Sequence, residues 1–345
     1  MDGDLKVTAF ASEVFLPARL WEKLTEIRRD DPERPRRSAN ERAPRERPWR
    51  TERLNILAAD HPARRVTTVR GDALAIANRR DQLARVARVL QSETCDGVMA
   101  TMDVLEDLLV LDDLLRSAGE PPLLDGKLLI VSLNRGGLAG TSWEMDDPVT
   151  GPPPEACANW GFDGTKLLLR ICDEEPDSLK TMLACADAIT RTNALGLPTF
   201  LEPLPVVKTD AGYKVVKTAV ALAKIVGVAA ALGDSSRYLW LKLPYCEHYE
   251  LVARATSLPI LLLGGEAGGD ARGFLGELAQ GLAAGPNVRG ALAGRNVLYP
   301  VDEDPLVMAA AAGAIIHRGL PAGEAWTAAE AERGRGLDRL SRVAL

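Results

Sequence analysis

The sequence predicts a single (β/α)8 barrel preceded by an N-terminal helical, arginine-rich extension. Eight short apolar runs alternate with longer segments whose apolar residues recur at helical spacing, a pattern typical of βα units and of a parallel sheet buried on both faces. These units run from Leu54 to Tyr299, close to the roughly 250 residues of such barrels. The first run ends in AADHPARR. A doubly wound open sheet usually has a glycine-rich phosphate turn there, so the barrel is favoured over that fold.

The eight predicted strands follow one another along residues 54–295. Their sequences are LNILAA (54–59), DGVMAT (96–101), KLLIVSL (127–133), TKLLLRI (165–171), LPTFLEP (197–203), YLWLKLP (238–244), LPILLLGG (258–265) and VRGALAGR (288–295). The segments between them, such as DSLKTMLACADAITRTNALG, have helical spacing and no hairpin turn. We therefore expect residues 54–345 to form the barrel together with its C-terminal helices.

Residues 1–53 differ from the rest of the chain. After a first helix over about 16–28, residues 28–53 hold ten arginines, six acids and four prolines. Such a stretch cannot form a compact core, so we expect an extended arm or surface wrap that connects the helix to the barrel. A basic arm could bind RNA or a membrane, but the interleaved acids dilute its charge.

Composition excludes several functional classes. The 345 residues carry 42 Lys+Arg against 48 Asp+Glu, a net charge of −6 that gives a nucleic-acid partner no global support. No apolar run approaches the roughly 18 residues that span a bilayer, and MDGDLKVTAF lacks the features of a signal peptide. The five cysteines are scattered, without a CxxC pair. We expect a cytoplasmic protein with neither a nucleic-acid nor a membrane partner.

Polar residues collect where the predicted strands end, which is the face of a barrel that carries its chemistry. In strand order they are Asp60 and His61, Asn134 to Gly137 with Arg135, Lys166 and Arg170, Glu202, Lys242, Gly264 and Gly265, and Gly294 with Arg295.

Two lysines and two carboxylates in this set are the groups that Schiff-base chemistry needs. Lys242 lies in the apolar run LWLKLP, where a charge is costly unless paired; an outward, snorkelling lysine is less favoured because helices cover a barrel strand. Burial and a nearby cation, Lys166, both lower the pKa of an amine and leave it more nucleophilic. Glu202 is then placed for proton transfer, and Asp60 for holding a proton or a substrate hydroxyl. This chemistry requires no cofactor.

The ends of the last two strands indicate a phosphate site. Loops at these positions commonly bind phosphate through backbone N–H groups and helix N-termini. The residues concerned are Gly264, Gly265, Gly294 and Arg295. Glycine lets the backbone approach an anion and arginine adds a charge-assisted bond, although ordinary barrel turns also contain glycine.

Three further arginines are candidates for a second anion at the opposite end of the cavity. They are Arg64, Arg135 and Arg170. Arginine binds a carboxylate through two parallel hydrogen bonds, and it binds phosphate as well.

The remaining candidates carry weaker signals. His61 either orients a proton or caps its loop. The three histidines have no metal-ligand spacing, which disfavours a metal-dependent lyase. Tyr245 is a candidate for the pocket lining, and Trp143 with Glu144 for a lid.

Together, LNILAADHP, GTKLLLR, FLEP, LWLKLP, LPILLLGG and GALAGRNVLYP resemble the class I aldolases related to tagatose-bisphosphate, fructose-bisphosphate and deoxyribose-phosphate aldolases, over about residues 54–300. The resemblance implies that Lys242 forms the Schiff base and that Glu202, Lys166 and Asp60 are its catalytic partners. It also implies a phosphorylated sugar as substrate, and we expect a homo-oligomer.

The motifs ADHPAR, GVMATMDVLEDLL, SLNRGGLAG and WLKLP look like a group of actinobacterial barrel proteins often found with inositol-catabolism genes. That likeness implies 2-deoxy-5-keto-gluconate 6-phosphate as substrate, cleaved to dihydroxyacetone phosphate and malonate semialdehyde. The alternatives are a sugar-bisphosphate or deoxyribose-phosphate-type aldolase, and a non-catalytic phosphosugar-binding barrel that would not need the lysine and glutamate.

Overall fold

Eight parallel strands close into a barrel, which confirms the predicted fold. The computed structural model describes residues 10–45, 53–265, 271–300 and 302–343. The strands are β1 (Leu54–Ala58), β2 (Gly97–Ala100), β3 (Leu128–Ser132), β4 (Gly164–Ile171), β5 (Thr199–Thr209), β6 (Gly212–Val215), β7 (Leu239–Pro244), β8 (Ile260–Leu263) and β9 (Val288–Ala293). All except β6 belong to the barrel, in chain order, and β9 pairs with β1 to close it.

Helices precede the first barrel strand and follow the later ones, and they pack on the outside of the barrel. They are α1 (Ser12–Phe15), α2 (Ala18–Asp30), α3 (Arg34–Glu41), α4 (Arg79–Leu90), α5 (Met102–Ser117), α6 (Pro154–Asn159), α7 (Asp177–Ala194), α8 (Ala219–Ala230), α9 (Tyr249–Arg254), α10 (Ala271–Ala283), α11 (Arg295–Leu298), α12 (Pro305–Arg318) and α13 (Ala322–Ala329). Within the described ranges, no helix is long and apolar enough to cross a membrane.

Alternation along the strands divides the core in two. One set of buried side chains packs between the strands and the helices. The other set, here called the apolar floor, fills the barrel interior nearer the N-terminal ends of the strands: Leu54, Ile56, Ala58, Met99, Leu128, Ile130, Phe200, Trp240, Leu261 and Leu292. Because alternate residues of a strand face inward, the next inward positions toward the C-terminal ends lie above this apolar floor.

The fifth strand is longer than the sequence analysis predicts. β5 continues to Thr209 and pairs with β6 as an antiparallel hairpin, although the prediction ended this strand at residue 203 and contained no hairpin. Gly212 has φ of 106° at the turn, a conformation that glycine adopts without strain. Beyond Val206 the strand becomes exposed, so it lacks the continuous buried run by which the barrel strands were recognised.

The N-terminal extension is more ordered than an extended arm. The predicted first helix is α2, and α3 lies where the arginine-rich stretch was expected to be extended. Its arginines form ion pairs with acids of the barrel: Arg28 with Glu106 at 2.6 Å, Arg34 with Asp113 at 2.5 Å and Arg42 with Asp163 at 3.1 Å. These long-range pairs hold the stretch against the barrel as far as residue 45. Residues 46–52 of the predicted arm lie outside the described residues.

A buried ion pair joins α4 to the start of α12. The Arg88 guanidinium is fully buried and donates to both carboxylate oxygens of Asp304, at 2.9 and 2.6 Å. Asp304 also caps α12 by accepting from the Leu306 N–H at 3.0 Å. The pair therefore ties an early and a late helix of the barrel together.

We expect Arg88→Met to lower the free energy of unfolding by about 3–5 kcal/mol, because it leaves the Asp304 charge buried without its partner. Urea denaturation followed by circular dichroism measures this. The matched control is Arg191→Met, which breaks an exposed pair with Glu155 and should cost less than about 1 kcal/mol. Equal losses in the two variants would contradict a special role for the buried pair.

Candidate functional site

Four charged side chains meet inside the barrel directly above its apolar floor. Glu202 comes two residues after Phe200 on β5, and Lys242 two residues after Trp240 on β7, so both continue the inward-facing side of their strands. The complete group is Asp60, Lys166, Glu202 and Lys242, all proposed as catalytic by the sequence analysis. The exposed fraction of these residues ranges from 0% at Lys166 to 9% at Glu202.

The four groups alternate in charge and are linked by hydrogen bonds. One oxygen of Glu202, Oε2, accepts from Lys242 Nζ at 3.0 Å and lies 2.8 Å from Lys166 Nζ. Lys166 Nζ also lies 3.4 Å from Asp60 Oδ2. That same oxygen accepts from Ser132 Oγ at 3.0 Å and forms an ion pair with Arg135. The result is a buried chain of charges that begins at Lys242 and ends at Arg135.

Burial and neighbouring charges shift the pKa of Lys242 downward. Burial is the largest cause, the Lys166 charge adds to it, and the carboxylate of Glu202 opposes it. A larger fraction of this amine is therefore neutral than for an ordinary lysine, which is the condition for nucleophilic attack.

Both carboxylates are held ionised. Burial alone raises the pKa of Glu202, but Lys166 and Lys242 outweigh it and bring that pKa well below its usual range. Burial likewise raises the pKa of Asp60, and the charges of Arg135 and Lys166 lower it to well below its usual value. In the resting site both groups are therefore proton acceptors of low basicity.

His61 is a neutral neighbour of this chain of charges. It begins the short 3-10 turn His61–Arg64 after β1. Burial lowers its pKa to about 3, with Asp60 opposing and Arg295 adding to the shift. Its ring lies against Gly294, where a β-carbon would come within 2.5 Å of His61 Cε1 and 2.6 Å of the Ala58 oxygen. Glycine is required at this position, because any side chain would displace the histidine or the strand.

The four residues predicted to bind phosphate lie at the adjoining ends of β8 and β9. Gly264 and Gly265 follow β8, Gly294 precedes α11 and Arg295 begins it. A β-carbon on Gly264 would contact Ala293 at 3.3 Å, whereas Gly265 has open space around it. The second glycine pair of this loop belongs to residues 266–270, which are outside the described residues.

The three candidate arginines for a second anion do not have equivalent positions. Arg170 Nη1 and Arg64 Nη2 both donate to Oε1 of Glu144, each at 2.7 Å. Both also donate to the Gly137 carbonyl, at 3.2 and 2.8 Å respectively. Of the three, Arg135 is the one that contacts the lysine–carboxylate chain.

Glu144, a candidate for a lid together with Trp143, lies at the centre of these contacts. Its carboxylate is buried between Arg64 and Arg170 and accepts from the Gly140 N–H at 2.8 Å. It fixes the loop that follows β3, while the adjacent Trp143 is half exposed. Tyr245, expected in the pocket lining, stacks on Tyr249 and is hydrogen-bonded to Gln280 of α10.

Sequence reasoning missed two polar residues that support the site, Ser132 and Asp147, and placed a third, Asn134, at a strand end without giving it a role. Ser132 ends β3 and holds Asp60. Asn134 bonds the backbone of Leu168, donating to its oxygen and accepting from its N–H, both at 2.7 Å. Asp147 is buried and accepts from the Gly137 N–H at 3.1 Å. Ser132 could have been found from the sequence, because it comes two residues after Ile130 on β3 and therefore faces inward like it.

Among the residues that the structure describes, no group of three or more His, Cys, Asp or Glu could hold a metal ion.

Comparisons with known proteins agree with this architecture. Residues 52–315 match the family described as Cgl0159-like. The crystal structure of Cgl0159 from Corynebacterium glutamicum is 34% identical with a TM-score of 0.82, covering 88% of this chain and 99% of that one. No match was found among the curated proteins.

Two more distant structures share the fold. A Schiff base forming fructose-1,6-bisphosphate aldolase is 19% identical with a TM-score of 0.56, covering 82% of this chain and 100% of that one. A fructose-bisphosphate aldolase from Slackia heliotrinireducens is 15% identical with a TM-score of 0.61, covering 92% and 94%. At these identities the likeness is one of fold.

We expect Lys166→Met to raise the pKa of Lys242, because it removes a nearby positive charge and leaves Glu202 to pair with Lys242 alone. At neutral pH the variant's Lys242 should react about tenfold more slowly with acetic anhydride, equivalent to a rise of about one in pKa. Peptide mass spectrometry over a range of pH follows the labelling. Lys180→Met, at an exposed position, is the control, and an unchanged Lys242 rate in Lys166→Met would show that burial alone sets this reactivity.

Proposed function

The chain belongs to the Cgl0159-like family, and from this premise we propose that it is a class I aldolase that cleaves a phosphorylated keto-sugar acid through a Schiff base on Lys242. The observation that carries the proposal is the buried Lys242 amine, hydrogen-bonded to a carboxylate that a second buried lysine shares. The common fold with a Schiff base forming aldolase supports it. A non-catalytic phosphosugar-binding barrel is the alternative of another class, and it has no use for this costly arrangement of buried charges.

In the proposed reaction, the neutral amine of Lys242 attacks the ketone carbon and forms a carbinolamine. Glu202, in contact with this nitrogen, takes up each proton that the nitrogen loses and passes it to the oxygen of the former ketone, which leaves as water and gives a protonated imine. The imine then accepts the electron pair of the breaking C–C bond, while Asp60 receives the proton of the hydroxyl two carbons from the imine carbon. Protonation of the resulting enamine and hydrolysis of the imine restore Lys242.

The substrate we propose is 2-deoxy-5-keto-gluconate 6-phosphate. The imine forms at C5, and cleavage between C3 and C4 gives dihydroxyacetone phosphate and malonate semialdehyde. Gly264, Gly265, Gly294 and Arg295 would bind the phosphate next to the imine. The carboxylate at the far end would face Arg135.

Sugar bisphosphates and deoxyribose phosphate are the alternative substrates, because arginine binds a phosphate as well as a carboxylate. The resemblance of ADHPAR and SLNRGGLAG to the inositol-linked group favours the keto acid. We also place the protein in the cytoplasm, which is consistent with five cysteines that are all unpaired.

Borohydride added together with dihydroxyacetone phosphate should inactivate the protein irreversibly and attach the reduced adduct to Lys242. Lys242→Arg should abolish turnover and trapping, because a guanidinium stays protonated and cannot form the imine. Peptide mapping by mass spectrometry locates the adduct. Lys224→Arg, on the exposed side of α8, is the control, and an adduct on Lys166 would exchange the proposed roles of the two lysines.

The purified protein should cleave 2-deoxy-5-keto-gluconate 6-phosphate at least tenfold better, in kcat/KM, than fructose or tagatose bisphosphate. This ratio corresponds to about 1.4 kcal/mol of transition-state stabilisation. Enzyme-coupled detection of the triose phosphate products measures all three substrates under the same conditions. The reverse ranking would overturn the substrate and leave the Schiff-base chemistry in place.

A further inference from the structure

Asp60 and Arg135 form an ion pair in which each partner has one unsatisfied atom. Arg135, Lys166 and Ser132 all bind the same carboxylate oxygen, Oδ2. The other oxygen, Asp60 Oδ1, is buried without a hydrogen-bond partner among the described residues, and so is Arg135 Nε. Buried polar atoms are almost always hydrogen-bonded in a completed structure. Both groups therefore have capacity for a further partner.

Arg135 is also free of the contacts that fix its neighbours. Arg64 and Arg170 are each held by the Glu144 carboxylate and the Gly137 carbonyl. Among the described residues, the Arg135 guanidinium forms its ion pair with Asp60. Its side chain is 12% exposed against 1% for Asp60, so it lies over the carboxylate on the more open side. Rotation of this side chain would uncover Asp60 without dismantling the loop.

The charges of the site leave room for an anion next to Arg135. When Lys242 is protonated, three cations (Arg135, Lys166 and Lys242) face two carboxylates (Asp60 and Glu202). His61 contributes no charge, because burial lowers its pKa to about 3. A buried excess of positive charge is costly, and an anionic ligand relieves it. The ligand suited to the planar guanidinium fork is a carboxylate.

We propose that Arg135 exchanges partners during the reaction: it covers Asp60 in the empty site, and a carboxylate at the aldehyde end of the substrate draws it away and uncovers Asp60 as the proton acceptor. Recognition of the carboxylate and activation of the base are then one event. This inference rests on the proposed aldolase function and adds to it the step by which the substrate carboxylate, through Arg135, makes Asp60 available as the base.

The exchange also changes the strength of the base. Burial raises the pKa of Asp60, and Arg135 is the foremost of the positive charges that lower it. When Arg135 turns to the substrate carboxylate, the pKa of Asp60 rises and the group accepts the hydroxyl proton more readily. That proton moves to Asp60, the electrons of the C–C bond move to the imine, and the aldehyde leaves with its carboxylate unchanged.

The test uses the reverse reaction, in which dihydroxyacetone phosphate adds to one of two aldehydes of equal length. Malonate semialdehyde carries a carboxylate and 3-hydroxypropanal carries a neutral hydroxyl. We expect the wild-type protein to prefer malonate semialdehyde. In Arg135→Gln, kcat/KM for malonate semialdehyde should fall about 100-fold, or about 2.7 kcal/mol, while kcat for 3-hydroxypropanal should rise because Asp60 is no longer covered.

Two further variants keep the result interpretable. Arg135→Lys retains the positive charge against Asp60 and loses the bidentate fork, so it should fold even if the glutamine variant does not, and should lose part of the preference. Arg191→Gln removes an equal charge from the outer surface and should leave the preference intact. Equal losses with both aldehydes would overturn the exchange and leave Arg135 a structural residue.

Borohydride trapping separates this inference from the function on which it rests. Trapping of dihydroxyacetone phosphate on Lys242, together with an unchanged aldehyde preference in Arg135→Gln, would overturn the exchange alone. Absence of trapping in the wild-type protein would overturn the aldolase function and the exchange with it. A rise in KM for dihydroxyacetone phosphate in Arg135→Gln, with the aldehyde preference kept, would place Arg135 at the phosphate and also overturn the exchange.

Discussion

One carboxylate oxygen, Oε2 of Glu202, holds two buried ammonium groups within 3.0 Å. Neither Lys166 nor Lys242 could be placed inside the barrel as an isolated charge, because desolvation of an unpaired ammonium costs several kcal/mol. The glutamate must therefore stand on the strand between the two lysines, at the inward parity and just above the apolar floor. This requirement explains why β4, β5 and β7 each carry one charged residue at an inward position, and Lys166 then brings the Glu202 carboxylate and Asp60 into one chain of charges.

The loop after β3 positions a charged side chain, Arg135, that does not lie on a barrel strand. A strand places a side chain by parity alone, whereas Arg135 is positioned by a loop whose backbone is held by Glu144, Asp147 and Asn134. The Glu144 carboxylate accepts from two arginines, Arg64 and Arg170, so these arginines help to hold the loop in place. In the proposed reaction the barrel would separate two tasks: its strands would carry the reacting groups, and the braced loop would present the group that selects the substrate.

This division explains how far the sequence could predict the molecule. The barrel strands and the four lumen residues follow from local signals, namely buried apolar runs and the charged residues within them or directly after them. Glu144 could not be placed in this way, since its partners Arg64 and Arg170 lie 80 and 26 residues away along the chain and nothing in its own surroundings distinguishes it from a surface acid. The β5–β6 hairpin and α3 were missed because exposed strands and arginine-rich helices lack the apolar pattern on which the prediction depended.

The same ion pairs suggest how proton transfers would be timed in the proposed reaction. Lys242 is one of the two main charges that lower the pKa of Glu202. While the nitrogen of Lys242 is positive, as ammonium or as protonated imine, Glu202 is a weak base. In the carbinolamine that nitrogen is neutral, so the pKa of Glu202 rises and the group can hold the proton that water needs in order to leave. Glu202 would therefore accept a proton more readily whenever that nitrogen is neutral, which includes the carbinolamine stage that requires an acid, and it needs no movement to change role. Asp60 would be governed in the same way by Arg135, with one difference: there the charge moves away instead of being neutralised, which makes the second proton transfer dependent on the substrate.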